Sequence, residues 1–149
     1  MRCSDSGRQF IKAFEALRLT PYRDDAGNWT VGYGHLIASD EPIVTWTHDH
    51  ADAEFAADVT EVDLGLADLI AVELRQHEYD AIASFAFNCG INAFRNSTLR
   101  RVLNENDFVA AALELGRWGR AGGKWNAGLL RRRIGEMAIF LLADYSRVP

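Results

Sequence analysis

The sequence predicts a mostly helical α+β fold, with a small β-hairpin lobe, a larger helical lobe and a groove between them. Three observations predict it. Two strand-like runs, Tyr22-Arg23-Asp24 and Trp29-Thr30-Val31-Gly32-Tyr33, flank a turn-rich segment. Apolar residues recur at helical spacing at the N-terminus and again from residue 76 onward. Helix caps and glycines punctuate that second region at short intervals. A length of 149 residues fits one domain spanning 1–149, long enough to bury a core without staples. The β-lobe is expected at about 18–46, and the helical lobe at about 75–149 together with the N-terminal helix.

Taken in order, Ser6-Gly7-Arg8-Gln9 fits a capping box, with Ser6 as N-cap. Phe10, Ile11, Phe14 and Leu17 come next at helical spacing, so the first helix reads from Gly7 to about Ala16. Pro21 bars its continuation and leaves Glu15 in or near the last turn. Asp25-Ala26-Gly27-Asn28 is turn chemistry, with Asp25 a candidate turn residue. A three-residue loop Ala26-Gly27-Asn28 would make Asp24 and Thr30 cross-strand neighbours; a two-residue loop would separate them. Residues 36–46 read as loop, and Thr47 caps a helix to about Leu64. Gln76 to Cys89 is helical and ends at Gly90. A turn holds residues 92–96. Ser97 or Thr98 caps a helix through Asn104, and Asp107 caps one to about Arg117. Gly122-Gly123 breaks the chain. A last helix runs from about Asn126 to Ala143, with Leu130, Ile134, Met137, Ala138 and Leu141 as its expected core stripe.

Composition narrows the function classes. No apolar run of spanning length occurs and the N-terminus lacks a hydrophobic signal region, so the expectation is a chain with no membrane anchor. The net charge of −5 is unevenly spread: residues 40–80 carry one base against twelve acids, whereas residues 95–149 carry ten bases against five. The acidic block reads as a solvated helix face. The basic segment suits an anionic polymer or surface, but no nucleic-acid motif accompanies it. Cys3 and Cys89 are too few for a disulfide framework. Cys3 is expected as a free thiol on a frayed end and Cys89 as a small buried hydrophobe. His48 and His50 lie two apart on an expected helix and face different ways, so metal binding is not expected. His35 has three readings: metal ligand, catalytic base, or a structural histidine paired with an acid; the last is favoured.

The chemistry lies in residues 14–35. An acid at Glu15, a second at Asp24, a threonine at Thr30 and then Gly32-Tyr33-Gly34-His35 put two carboxylates on two structural elements. Hydrolysis of a glycosidic bond needs that division: one group protonates the leaving oxygen, and the other serves a water or the cationic transition state. Near a helix C-terminus, Glu15 meets the negative end of the dipole, which favours a proton donor. Asp24, on a hairpin nearer solvent, is the ionised partner, and the Thr30 hydroxyl positions the water. Singly, each residue has a blander reading; jointly they do not.

This stretch resembles the active site of the phage lysozymes, endolysins of glycoside hydrolase family 24. The run Glu78–Gly90 looks like that family's central helix. The segment Phe94–Leu99 resembles its next turn and cap, and Arg117-Trp118, Ala121–Lys124, Gly128-Leu129 and Arg132-Arg133 resemble its closing segment. The resemblance implies a lysozyme-like fold and a peptidoglycan muramidase that cleaves the β-1,4 bond between N-acetylmuramic acid and N-acetylglucosamine. It implies a catalytic triad of Glu15, Asp24 and Thr30, with Gly34, Leu36 and Phe87 lining the glycan groove and no metal or cofactor. It also implies an arginine, Arg132 or Arg133, paired with Glu15, which opposes the pull of the helix dipole and of burial. The expected partner is bacterial peptidoglycan, met by a monomer that waits in the host cytoplasm for holin-dependent release and then acts in the periplasm or on the wall. Two rivals stand beside this reading. A lytic transglycosylase needs no activated water, so retained Asp24 and Thr30 argue against it. A non-catalytic wall-binding or structural phage protein would have no use for both acids.

Overall fold

A computed structural model describes residues 1–24 and 26–149; Asp25, the candidate turn residue, lies outside the described residues. Helix α1 (Asp5–Phe14) leads into strands β1 (Arg18–Arg23), β2 (Trp29–Gly32) and β3 (His35–Leu36), which form an antiparallel sheet in that order. Helix α2 (His48–Ala67) connects this sheet to α3 (Gln76–Cys89), α4 (Ile91–Arg95), α5 (Thr98–Asn104) and α6 (Phe108–Gly116). A second hairpin, β4 (Arg120–Ala121) with β5 (Lys124–Trp125), precedes α7 (Ala127–Leu142).

The cap chemistry explains most boundaries. Thr47, Ser97, Asp107 and Asn126 each accept a backbone N–H from the first turn of the helix they cap, as their types and positions suggest. The first helix differs. Ser4, not Ser6, is its N-cap, accepting from the Gly7 N–H at 3.1 Å. Ser4 wins because two buried carboxylates tie down its neighbourhood. Asp80 accepts from the Ser4 N–H at 2.9 Å, and Asp63 accepts from the Cys3 N–H at 3.0 Å. The Tyr79 and Tyr145 hydroxyls complete these two clusters. Cys3 is therefore buried rather than frayed, and burial pushes its thiol well above the usual range.

Helix α3 is the axis of the packing. Its residues Glu78–Ala86 are all buried, with α7, α1 and α2 packed around it. Ile82 and Phe85 meet Ile11 from α1, Phe55 and Val59 from α2, and Ile139 from α7 in one apolar cluster. The expected stripe on α7 is wrong for three of its five residues. Leu130, Ile134 and Leu141 are exposed, while Arg132, Arg133 and Glu136 are buried. The buried face of α7 carries Arg132, Arg133 and Glu136, which pair with one another and with α3, so apolar periodicity points to the wrong side. Strand β1 also starts earlier than expected and includes Pro21, which sits at an irregularity in the register between Arg18 and Tyr22, where a missing N–H is tolerated. Gly122 and Gly123, at positive φ, make the turn of the β4–β5 hairpin rather than a simple break.

Candidate active site

Glu15 is the first residue past α1. Its backbone is extended (φ −99°, ψ 117°), and its N–H still reaches the Lys12 carbonyl at 3.2 Å. The chain leaves the helix there, which frees the side chain to reach α7. The guanidinium of Arg132 donates to the Glu15 carboxylate, so of the two candidate arginines it is Arg132 that makes this pair. Arg132 is only 3% exposed and lies over the Phe14 ring, 5.6 Å from its centroid. It also reaches Glu136 at 3.4 Å and the Ser84 carbonyl at 3.3 Å.

Arg133 turns away from Glu15. Fully buried, it donates to Glu136 at 2.9 Å, to the Asn88 side-chain oxygen at 3.0 Å and to the Cys89 sulfur at 3.0 Å. Ser84 donates to the same Glu136 oxygen at 2.8 Å. Complete burial pushes the Glu136 carboxyl up, against the pull of Arg133 and Arg132. Of Arg131, Arg132 and Arg133, only Arg131 is exposed. Cys89 is half-buried beside Arg133, and its thiol is also pushed up by burial.

On the hairpin, the register is neither of the two that the turn residues allowed. Tyr22 faces Thr30 and Arg23 faces Trp29. Asp24 pairs with Asn28, whose carbonyl accepts the Asp24 N–H at 3.0 Å. Asp24 and Thr30 are therefore diagonal neighbours on one face rather than opposite each other. The cause is the Asp24 carboxylate itself, which accepts from the Asn28 N–H at 2.8 Å and its side-chain amide at 3.3 Å, closing the loop one residue early. Those bonds, the Asn28 backbone N–H first, hold the Asp24 carboxyl below its ordinary range. Thr30 is buried and donates to the Asn28 carbonyl at 3.4 Å.

The Gly32-Tyr33-Gly34-His35 turn brings the sheet to the groove. Gly32 and Gly34 have φ of +66° and +88°, which other residues adopt only under strain. A side chain on Gly32 would strike the Trp46 ring at 2.8 Å. A Cβ on Gly34 would lie 3.6 Å from a Glu15 carboxylate oxygen. His35 finds the acidic partner that the sequence left unnamed. Its Nδ1 lies 3.1 Å from both Asp58 oxygens on α2, and its Nε2 lies 3.3 Å from Glu41. Burial alone would lower the His35 pKa, but Asp58 and then Glu41 overcome it, and the net direction is up.

Two hollows matter here, one lined by Gly34 and the other by Glu15. The first, about 420 Å³, is lined by Gly34, Leu36 and Phe87 together with His35, Asp58 and Glu61. All three residues expected to line a groove thus lie in one place. The second, about 440 Å³, is lined by Glu15 itself, Arg132, Asn88, Ala121 and Asn126. Asn88 and the β4–β5 hairpin join the site without having been expected there. The Gly-Gly pair was the available signal for the hairpin; nothing in the local pattern marks Asn88, whose placement depends on Arg133.

With this geometry the similarities to known proteins are consistent over nearly the whole chain. A sequence model described as phage lysozyme matches residues 12–136. The chain is 35% identical over 150 residues to the endolysin of Bacillus phage B103, covering 99% of this chain and 57% of that protein. It is 40% identical over 144 residues to the endolysin of Acyrthosiphon pisum secondary endosymbiont phage 1, covering 94% and 98%. The chain spans little more than half the length of the Bacillus phage relatives it matches. Among solved structures, the endolysin of Escherichia coli O157:H7 phage FAHEc1 superposes with a TM-score of 0.87 at 33% identity, covering 97% of this chain and 96% of that one. The muramidase domain of SpmX from Asticaccaulis excentricus gives 0.85 at 34% identity, with 94% and 97% covered. The chain belongs to the phage lysozyme family.

Proposed function

We propose that this protein is a peptidoglycan muramidase and acts as a phage endolysin, with residues 1–149 forming its catalytic domain. The observation that carries the reading is Glu15 in the wall of one hollow, its carboxylate answered by a buried arginine, with Gly34, which lines the other hollow, beside it. In this reading, Glu15 protonates the oxygen between N-acetylmuramic acid and N-acetylglucosamine. Asp24, held ionised by the Asn28 N–H, steadies the cationic transition state and, with the Thr30 hydroxyl, orients the attacking water. Gly34, Leu36 and Phe87 bind the glycan in the first hollow. His35, through Asp58, fixes β3 to α2 and, through Glu41, holds the loop that follows β3, while Arg132 and Arg133 support the groove from beneath.

No helix among the described residues is long and apolar enough to cross a membrane. In our reading the enzyme works as a monomer without cofactor or nucleic acid, waits in the host cytoplasm for a holin pore, and reaches the wall from there. The chemistry is tested by digesting purified peptidoglycan with the protein and with Glu15→Gln, then measuring the fragments by mass spectrometry. Reducing muramic-acid ends from the wild type alone are expected. Anhydro-muramic ends would instead assign a lytic transglycosylase, and no fragments from either protein would leave only wall binding.

A further inference from the structure

We propose that Asn88 is a specificity-determining residue that presents a fixed amide donor to the acetamido carbonyl of the sugar bound beside Glu15. This inference rests on the muramidase reading and extends it to a residue outside the expected site. Asn88 is exposed near the C-terminal end of α3 and lines the second hollow together with Glu15. Its side-chain oxygen accepts from Arg133 at 3.0 Å, and the Cys89 thiol lies 3.8 Å from the same oxygen. A guanidinium only donates, so Arg133 settles which end of the amide faces it: the oxygen points inward and the NH₂ outward. Among the described residues that NH₂ has no protein acceptor.

Arg133 is itself immobile. It is wholly buried, bonded to Glu136 at 2.9 Å and stacked over the Phe85 ring at 5.1 Å. Burying a guanidinium is costly, and here one of its bonds goes to an amide on the groove wall. An exposed asparagine ordinarily samples several rotamers; this one is anchored in a single orientation, as a recognition group must be. The same hollow already contains the paired charges of Glu15 and Arg132, so the free donor suits a neutral acceptor. On an N-acetylated sugar the strongest neutral acceptor is the acetamido carbonyl, and Asn88 would read the presence of that group.

The test is a cycle between enzyme and substrate. We would measure kcat/KM for wild type, Asn88→Ala and Asn88→Asp on intact wall glycan and on the same glycan after N-deacetylation. The wild type is expected to favour the acetylated glycan, and each variant to lose about tenfold on it with little loss on the deacetylated one. Asn88→Asp keeps an acceptor for Arg133, so it decides the question if Asn88→Ala does not fold. A folded variant that keeps the wild-type preference for acetylated glycan overturns the proposal. A wild type that releases no reducing ends from either glycan removes the muramidase reading, and the proposal with it.

Discussion

Arg132 meets Glu15 from beneath: the carboxylate reaches the groove from the end of α1, and the guanidinium that answers it is almost wholly buried on α7. The contact joins residues far apart in sequence and locks the first helix to the last. It also links the groove to the interior, because Arg132 touches Glu136, which Arg133 and Ser84 hold in turn. A charge network buried under a catalytic candidate gives that carboxylate one position rather than several.

Removing one member of such a network leaves its partners buried and uncompensated. Arg132→Ala is expected to destabilise the fold by about 3–5 kcal/mol in denaturant unfolding. Arg132→Lys keeps the charge but loses the planar fork that bridges Glu15, Ser84 and Glu136, so it should fold better than Ala yet remain impaired in wall digestion. An Arg132→Ala protein as stable as wild type would mean that the network is solvated after all.

How far the sequence reaches depends on the range of the interaction. The caps act within one turn: Thr47 and Asp107 were legible, Ser97 was one of two candidates, and Asn126 stood only as the approximate start of the last helix. Glu15, Asp24 and Thr30 could be proposed together for the same reason: they lie in one stretch of chain. Ser4 displaced Ser6 as a cap because Asp63 and Asp80, some sixty to seventy-six residues away, pin the N-terminus. The α7 stripe failed for the same kind of reason: its buried charges find partners only once α3 is in place. Asp58 as the partner of His35 had no local signature at all. The hairpin register turned on a single carboxylate that chose Asn28.

Gly34 should be intolerant of any side chain. Its φ of +88° strains an L-residue, and an added Cβ would lie 3.6 Å from the Glu15 carboxylate. Gly34→Ala is expected to lower stability by about 1–2 kcal/mol and to reduce wall digestion by more than that loss explains, since the methyl takes up space in van der Waals contact with the proposed proton donor. Thermal unfolding and single-substrate kinetics on the same sample separate the two effects. Equal activity at matched folded fraction would show that Gly34 serves the turn alone.

The His35 and Asp58 pair predicts a pH dependence of defined sign. The folded His35 pKa stands above its unfolded value, so the pair stabilises the fold below about 6.5 and fades as pH rises through the raised folded value. The melting temperature of wild type minus that of Asp58→Asn should therefore shrink as pH increases from about 6 to about 9. A difference independent of pH over that range would mean that His35 is bonded as a neutral ring. The Glu41 contact at 3.3 Å acts in the same direction, so Glu41→Gln should show a smaller version of the same trend.

Asp24 separates a turn role from a catalytic one. Its carboxyl is held below the ordinary range, chiefly by the Asn28 backbone N–H, so its contribution to the hairpin is present above the unfolded value of about 3.9 and is lost as pH falls through the lowered folded value. The amide proton of Asn28, monitored by NMR, should titrate with that lower midpoint. Asp24→Asn retains an oxygen for the Asn28 N–H but carries no charge, so the hairpin should persist. If Asp24 steadies the transition state as proposed, the same variant loses about 10²–10⁴-fold in rate with little change in melting temperature. Asp24→Ala should lose both the rate and the order of the turn. A folded Asp24→Asn protein with undiminished rate would show that no ionised partner is required opposite Glu15, and would move the chemistry toward ring closure without water.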